Sequence, residues 1–359
     1  MKNDEHNTAV VIMAGGVGTR FWPLSTSQKP KQFLKLFDDD KSLLQKSVER
    51  VSGIIPNQRI LVLTNKAFID IAAEQLPQIP RANIIGEPMR RDTAAAACLG
   101  ALICKKLFGN RVIITLTADH MIEPVDLFQR ALLSAVRFAR NNNALYTFGI
   151  QPTYPATSYG YLELGEKVAE DDGIEHFKLQ RFKEKPDLET ARRYVESGRF
   201  RWNSGMFVWT AGAILEEINK HIPSHLEALS EAVKFYGTSQ WPEALERAFG
   251  TLTAISIDYA VMEKAADVRC VGCAFSWSDV GGWNAIKDYL PRDEAGNCCR
   301  GSVISMDSEG NLVFCEQPDE SVMLIGVKDL IIVRAGNRTL VTHKDRTEDI
   351  KKLVERHLK

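Results

Sequence analysis

The sequence predicts an α/β protein: a mainly parallel sheet with helices around it, followed by a small β-rich region that closes in a helix. Three features carry that prediction. Short apolar runs alternate with helix-like stretches as far as residue 149, the pattern of repeated βα units. A glycine cluster, Gly15-Gly16-Val17-Gly18, follows directly on the first apolar run. Beyond Trp283 the texture changes to short strands separated by turn residues.

Taken in order, strands are predicted at 10–13, 60–64, 83–85, 112–117 and 145–149, and helices at 42–51, 67–76, 93–106 and 126–140. The helix opened by Asp92 or Thr93 continues through four alanines, Ala94 to Ala97. These favour helix and add little bulk, so its N-terminus can come close to a neighbour or a ligand. Residues 151–161 carry Pro152, Pro155 and Gly160 among hydroxyls and read as a loop. Short strands at 161–164 and 177–183 lead into Glu184-Lys185-Pro186-Asp187, where Asp187 is a candidate N-cap for a helix to residue 197. Residues 202–209 read as a loop entering a buried strand, 211–250 as helical, and 256–258 as the start of another short helix. The tail predicts strands at 301–306, 311–315, 322–325, 330–333 and 339–342, a short coiled β stack, then a charged amphipathic helix at 347–358. The change of texture divides a catalytic region, 1–285, from a β-rich region, 286–359.

At 359 residues the chain is long enough for a large domain and a smaller one. Its hydrophobic and charged fractions, 45% and 25%, are those of an ordinary globular protein. A formal net charge of -1 offers no general attraction for nucleic acid or an anionic membrane. The opening MKNDEHNT has no apolar signal core, and no apolar run reaches membrane-spanning length, so a cytoplasmic protein is expected. Of seven cysteines, Cys98 and Cys104 read as small helix hydrophobes. Cys270 and Cys273 have C-x-x-C spacing, but the adjacent pair Cys298-Cys299 is a poor second half for zinc. Buried, reduced thiols are expected.

The chemistry concentrates in 9–33, AVVIMAGGVGTRFWPLSTSQKPKQF. Glycines just after a strand let the backbone approach a ligand and turn N–H groups toward an anion. Arg20 and Lys31 add mobile cations, a combination suited to a triphosphate. The loop is neither a Walker A nor a dinucleotide fingerprint: Lys-Ser or Lys-Thr never follows its glycines at the required spacing, and Phe21 stands where a third glycine belongs. Asp119 follows the 112–117 strand, and ligands of open α/β sheets bind beyond such strand ends. Asp279, in Phe275-Ser-Trp-Ser-Asp-Val-Gly-Gly-Trp283, also ends an apolar run. Two carboxylates from separate strand ends suit Mg²⁺, which takes one or two carboxylates plus substrate phosphates. Asp258, at a predicted helix start, reads as a cap, and His120 as a structural hydrogen-bonder. Lys185, fixed by the following proline, could grip a phosphate or lie solvated at a helix entry. Asn203, Glu163 and Gly160 lie in aromatic-rich segments that fit a sugar pocket.

Together these residues closely resemble the mannose-1-phosphate guanylyltransferases of the sugar nucleotidyltransferase superfamily. The matching segments run in family order: AGGVGTRFWPLS…KPKQF, GEPMRRDTAAA, ADH, FGIQPTYPATSYGYLE, FKEKPD, WNSGMFVW, ISIDYAVMEK and WSDVGGW. The resemblance implies a Rossmann-like nucleotidyltransferase core with a mixed sheet and a sugar-binding insertion. It implies transfer of GMP from GTP to mannose 1-phosphate with release of pyrophosphate. In that reading Ala14, Gly15, Gly16, Gly18 and Thr19 cradle the nucleotide, with Asp92 and Thr93 beside it. Arg20 and Lys31 neutralise the triphosphate and the leaving pyrophosphate, and Asp119 and Asp279 hold Mg²⁺. Lys185 grips the sugar phosphate, while Gly160, Glu163, Glu184 and Asn203 line the sugar pocket. Glu87 faces the base, where a carboxylate accepts from guanine N1–H and N2–H₂. The chain departs from the family pattern at Ala95, Thr117, Ser158 and Gly282, none a charged catalytic position. A homodimer is implied, and the small tail, lacking a His/Glu cluster, is expected to add no isomerase activity. The rivals are another sugar 1-phosphate or nucleotide on the same fold, and a non-catalytic nucleotide-sugar sensor.

Overall fold

Seven of the nine strands in the main sheet run the same way, as an α/β core requires. The computed structural model describes residues 8–16, 18–37, 40–317 and 319–357. The MKNDEHN start, Val17 of the glycine loop and the predicted end of the last helix at Leu358 lie outside those residues. The described chain forms two compact units, each discontinuous in sequence. The first comprises residues up to Gly15, Ser47–Ala118 and Ile122–Trp277; the second comprises Gly16–Lys46, Asp119–Met121 and the chain from Ser278 onward.

In chain order the strands of the first part are β1 (Thr8–Ala14), β2 (Ile60–Asn65), β3 (Ile84–Glu87), β4 (Val112–Thr117), β5 (Met121–Glu123), β6 (Leu145–Ile150), β7 (Tyr161–Asp171), β8 (Ile174–Lys183), β9 (Phe200–Thr210), β10 (Val268–Gly272) and β11 (Ser276–Ser278). The sheet order is β3-β2-β1-β4-β9-β6-β10-β8-β7, with β8 and β9 opposed to the rest. Central β1 is buried on both faces, with Ala9 to Ile12 fully inaccessible, as expected for a strand covered by helices on each side.

The helices are α1 (Leu43–Ser52), α2 (Ile69–Gln75), α3 (Asp92–Phe108), α4 (Val125–Asn141), α5 (Leu188–Glu196), α6 (Ala211–His221), α7 (Pro223–Val233), α8 (Trp241–Thr251) and α9 (Asp349–His357). Helix α3 packs closely on β1: a Cβ on Gly100 would stand 2.8 Å from Val11 Cγ1. Helix α4 buries Phe128, Ala131, Leu132, Ala135, Val136 and Ala139 along one stripe. Its polar edge ties down the β7–β8 hairpin. Ser134 Oγ meets His176 Nε2 at 2.8 Å, and Arg137 pairs with Asp171. Asp187 caps α5 as predicted, its Oδ1 accepting from Thr190 N at 2.8 Å.

Several elements differ from the sequence expectation, among them the strand Tyr161–Asp171, expected only to residue 164, and the short strands β5, β11 and Cys298–Arg300. Residues 202–209 belong to one continuous strand, β9, which accommodates Gly205 at φ 68°. Strand β10 hides in the Cys270-x-x-Cys273 segment and lies between β6 and β8. No helix among the described residues is long and apolar enough to cross a membrane.

The second unit holds β12 (Cys298–Arg300), β13 (Ser302–Met306), β14 (Leu312–Cys315), β15 (Ser321–Ile325), β16 (Leu330–Ala335) and β17 (Arg338–His343). Strands β12, β14 and β16 pair in parallel, as do β13 and β15, so the chain coils into stacked rungs. Buried Asn297 and Asn311 form a ladder between rungs. Asn297 Oδ1 accepts from Asn311 N and Nδ2 at 3.0 and 2.9 Å, and Asn311 Oδ1 accepts from Leu330 N at 2.9 Å. The core of this unit joins distant sequence: Phe21, Leu24, Leu34, Trp283, Leu312, Phe314 and Ile331 pack in one cluster.

Candidate active site

In the second unit the structure brings Lys31, Asp119 and Asp279 together. Lys31 Nζ donates to Asp119 Oδ2 at 3.1 Å and to the Asp279 carbonyl at 2.6 Å. Lys31 lies in a 3-10 turn, Lys31–Phe33, whose Phe33 is fully buried, so its ammonium is delivered from a fixed base. Burial alone would raise the Asp119 carboxyl, but the charges of Lys31 and His120 and the Lys31 hydrogen bond hold it below the usual carboxylate range. Next to Asp279, Val280 adopts φ 45°. A β-branched residue there is a genuine backbone outlier, of the kind that collects at functional sites.

The glycine loop is built around the same lysine. Gly18 adopts φ 60°, and a Cβ placed on it would stand 2.1 Å from Lys31 Cβ. Its carbonyl accepts from Ser25 Oγ at 2.6 Å. A Cβ on Gly16, by contrast, would meet none of the described residues within 4 Å. Thr19 and Arg20 form the next turn, which Phe21 anchors in the core against Trp283, ring centroids 5.2 Å apart. Trp283 in turn meets Phe314 of β14 at 5.2 Å and donates from Nε1 to Trp22 O at 3.1 Å.

The first unit gathers two further groups of predicted residues. Ala14 ends β1 and Gly15 follows it, where a Cβ would touch Glu87 Oε2 at 3.5 Å. Burial lifts the Glu87 carboxyl to about 8. Asp92 starts α3 at φ 63° and accepts from Thr93 N at 2.8 Å. Thr93 Oγ1 accepts from Ile257 N at 2.9 Å, and Ala94 N donates to Ile255 O, so the segment before Asp258 closes this helix end.

The other group contains Gly160, Glu184, Lys185 and Asn203. A Cβ on Gly160 would lie 2.4 Å from Glu184 Oε2 and 3.3 Å from Asn203 Cβ, so the glycine admits the carboxylate. Glu184 Oε1 meets Lys185 Nζ at 3.2 Å, whereas Oε2 is buried without a hydrogen-bond partner among the described residues. Lys185 adopts φ 44°, although the following proline disfavours helical backbone at that position. Tyr159 sits at this mouth between Trp202 and Trp277, at 5.1 and 5.3 Å. Glu163 pairs instead with Arg181 and Arg199, at 3.2 and 3.4 Å.

Asp258 joins this group, although the sequence offers it only as a helix start. It opens one turn of π-helix, Asp258–Met262, and accepts from Asn203 Nδ2 at 2.9 Å. Asn203 Oδ1 accepts from Thr147 Oγ1 at 2.8 Å, so the amide orientation is fixed from both ends. Burial, reinforced by the Glu184 charge, lifts Asp258 to about 7. The ISIDYAVMEK segment was the available signal; Glu263 within it accepts from Glu184 N at 2.8 Å.

Residues 9–295 match the family model described as nucleotidyl transferase, and 301–357 match a MannoseP isomerase/GMP-like beta-helix domain. A protein named mannose-1-phosphate guanylyltransferase from Escherichia coli K12 is 39% identical over 350 residues, covering 96% of this chain and 72% of that protein. One of the same name from Klebsiella pneumoniae is 39% identical over 348 residues, covering 96% and 73%. A crystal structure from Thermus thermophilus, titled a mannose-1-phosphate geranyltransferase, superposes with a TM-score of 0.86 at 32% identity, covering 98% of this chain and 100% of that one. A structure titled a mannose-6-phosphate isomerase from Helicobacter pylori gives 0.59 at 28% identity, over 75% and 99%.

Proposed function

Because this chain belongs to the mannose-1-phosphate guanylyltransferase family of nucleotidyltransferases, we propose that it converts GTP and mannose 1-phosphate to GDP-mannose and pyrophosphate. One observation carries the reading: a single ammonium, Lys31 Nζ, bonds both the Asp119 carboxylate and the Asp279 main chain. Two residues far apart in sequence therefore meet at one cation, Asp119 through its carboxylate and Asp279 through its main chain. The donor set suits Mg²⁺, because that ion takes one or two carboxylates and completes its shell with phosphates and water. Asp119 and Asp279 would hold it. Bound there, it would offset phosphate charge and align the reacting groups.

The nucleophile is a phosphate oxygen of mannose 1-phosphate, already ionised near neutral pH, so no general base is needed. It forms a bond to the α-phosphorus of GTP while the bond to the β-phosphate bridging oxygen breaks, and pyrophosphate leaves with the electron pair. Both reactants are anions, and their repulsion is the main obstacle. Lys31 and Arg20 supply fixed positive charge where pyrophosphate gathers negative charge. Lys185 orients the sugar phosphate, and Glu184 and Asn203, with Asp258 behind Asn203, offer acceptors and a donor to sugar hydroxyls. Glu87 accepts from guanine N1–H and N2–H₂; adenine has no such donor pair.

A substrate panel tests the proposal. Mg²⁺-dependent pyrophosphate release should be greatest with GTP and mannose 1-phosphate, against glucose 1-phosphate and heptose phosphates, and against UTP, CTP and ATP. Preference for another pair would replace the substrates and keep the chemistry. Tight GDP-mannose binding without turnover would favour the sensor. A single activity, cytoplasmic location and a homodimer belong to the same proposal. Support for the dimer comes from Ile304, Met306, Met323 and Ile325, which stand exposed on β13 and β15; light scattering checks it. Assay of mannose 6-phosphate isomerisation checks the single activity.

A further inference from the structure

Arg20 does not stand alone in the second unit: its Nε donates to Glu348 Oε2 at 2.9 Å across 328 residues of sequence. The segment that presents Glu348 is built, not trailing. Asn284 Nδ2 donates to Lys344 O at 2.8 Å and to Thr347 Oγ1 at 3.4 Å. Ile350, two residues beyond Glu348, is buried in the cluster that contains Phe21, Leu24 and Trp283. The backbone before Glu348 is thus held by Asn284, and the backbone after it by the core that buries Phe21 beside Arg20.

The pair itself is open to solvent, with side chains 40% and 72% exposed. An exposed ion pair contributes little to folding. It also exchanges readily, and a carboxylate makes the same kind of charge-assisted contact with a guanidinium as a phosphate does. Any phosphate oxygen that reaches Arg20 Nε therefore has to displace Glu348 Oε2.

We propose that Glu348 is an internal phosphate surrogate, which occupies Arg20 between turnovers and returns to it as pyrophosphate departs. This rests on the phosphate-neutralising role given to Arg20 above. The carboxylate keeps the arginine extended in the empty protein and lowers affinity for the leaving group. A purely structural contact would act in the opposite direction, because its loss would loosen the loop and weaken binding.

Titration calorimetry with inorganic pyrophosphate and excess Mg²⁺ separates the two. Glu348→Gln removes the charge and keeps the shape, and should bind pyrophosphate about two- to five-fold more tightly, the range expected when an exposed ion pair no longer competes. Glu348→Ser should shift Kd the same way. Arg20→Ala should bind at least about tenfold more weakly, as expected for loss of a charged hydrogen bond, and adding Glu348→Gln to it should change nothing further. Unchanged or weaker binding by both Glu348 variants, with Arg20→Ala impaired, overturns the surrogate. Wild-type binding by Arg20→Ala would instead remove Arg20 from the phosphate role, and the surrogate with it.

Discussion

Replacing Gly18 with alanine should disable the site through Lys31 while leaving the fold in place. The new Cβ would lie 2.1 Å from Lys31 Cβ and 3.1 Å from its Cα, whereas carbon atoms rest at about 3.5–4.0 Å. The lysine must therefore retreat by more than about 1 Å. Nζ would then lose its 3.1 Å and 2.6 Å bonds to Asp119 and Asp279. The left-handed backbone at φ 60° adds about 1–2 kcal/mol for a residue with a Cβ. Misplacement of a catalytic group by 1 Å costs about 100-fold in rate, so kcat should fall by about that factor while the melting temperature drops by a few degrees. Steady-state pyrophosphate release and a thermal melt measure both. Because the loss runs through Lys31, the double variant Gly18→Ala/Lys31→Ala should be no slower than Lys31→Ala alone. Gly16→Ala is the contrast: its Cβ meets none of the described residues within 4 Å, so stability should hold and any defect should appear as a raised KM for GTP. Wild-type kcat in Gly18→Ala, or additive losses in the double variant, would refute the reasoning.

Asp119→Asn and Asp279→Asn should each lower kcat at least ~100-fold, the scale of losing a key electrostatic group; near-normal rates in both folded variants would defeat the Mg²⁺ assignment. Glu87 must be ionised to accept from guanine, and burial lifts it to about 8. The KM for GTP should therefore fall as pH rises from 6.5 toward 8 and level off above, and Glu87→Gln should lose both that slope and the preference for GTP over ATP. His176 is fully buried, and burial lowers its pKa from 6.5 to about 4. The unfolded chain takes up this proton first, so the contribution to stability is complete above pH 6.5 and is lost as pH falls toward 4. Between pH 7 and 5 the loss is about 2 kcal/mol; denaturant melts should show it, and His176→Phe should flatten that limb.

The alternation of apolar runs and helical stretches determined the α/β class and most element positions, because periodicity and capping act locally. Strand 112–117 and the Asp187 cap are legible for that reason. The glycines, Arg20, Lys31 and the two aspartates stand out for another: their residue types suit the phosphate and metal chemistry proposed for them. Only the folded chain could decide which of them meet. Lys31 reaches Asp279 across 248 residues, and no local rule encodes such a contact. Asp258 stands at a helix start, where the sequence puts it, and only the fold brings Asn203 Nδ2 to its carboxylate. Strand β10 was hidden because a buried strand of five residues has no period long enough to read. The β-rich tail read as a separate region by its texture. Packing made it the support of the loop that carries Arg20 and Lys31, since the Phe21–Trp283–Phe314 contacts are set by shape and burial between segments whose separation in sequence carries no trace of their meeting.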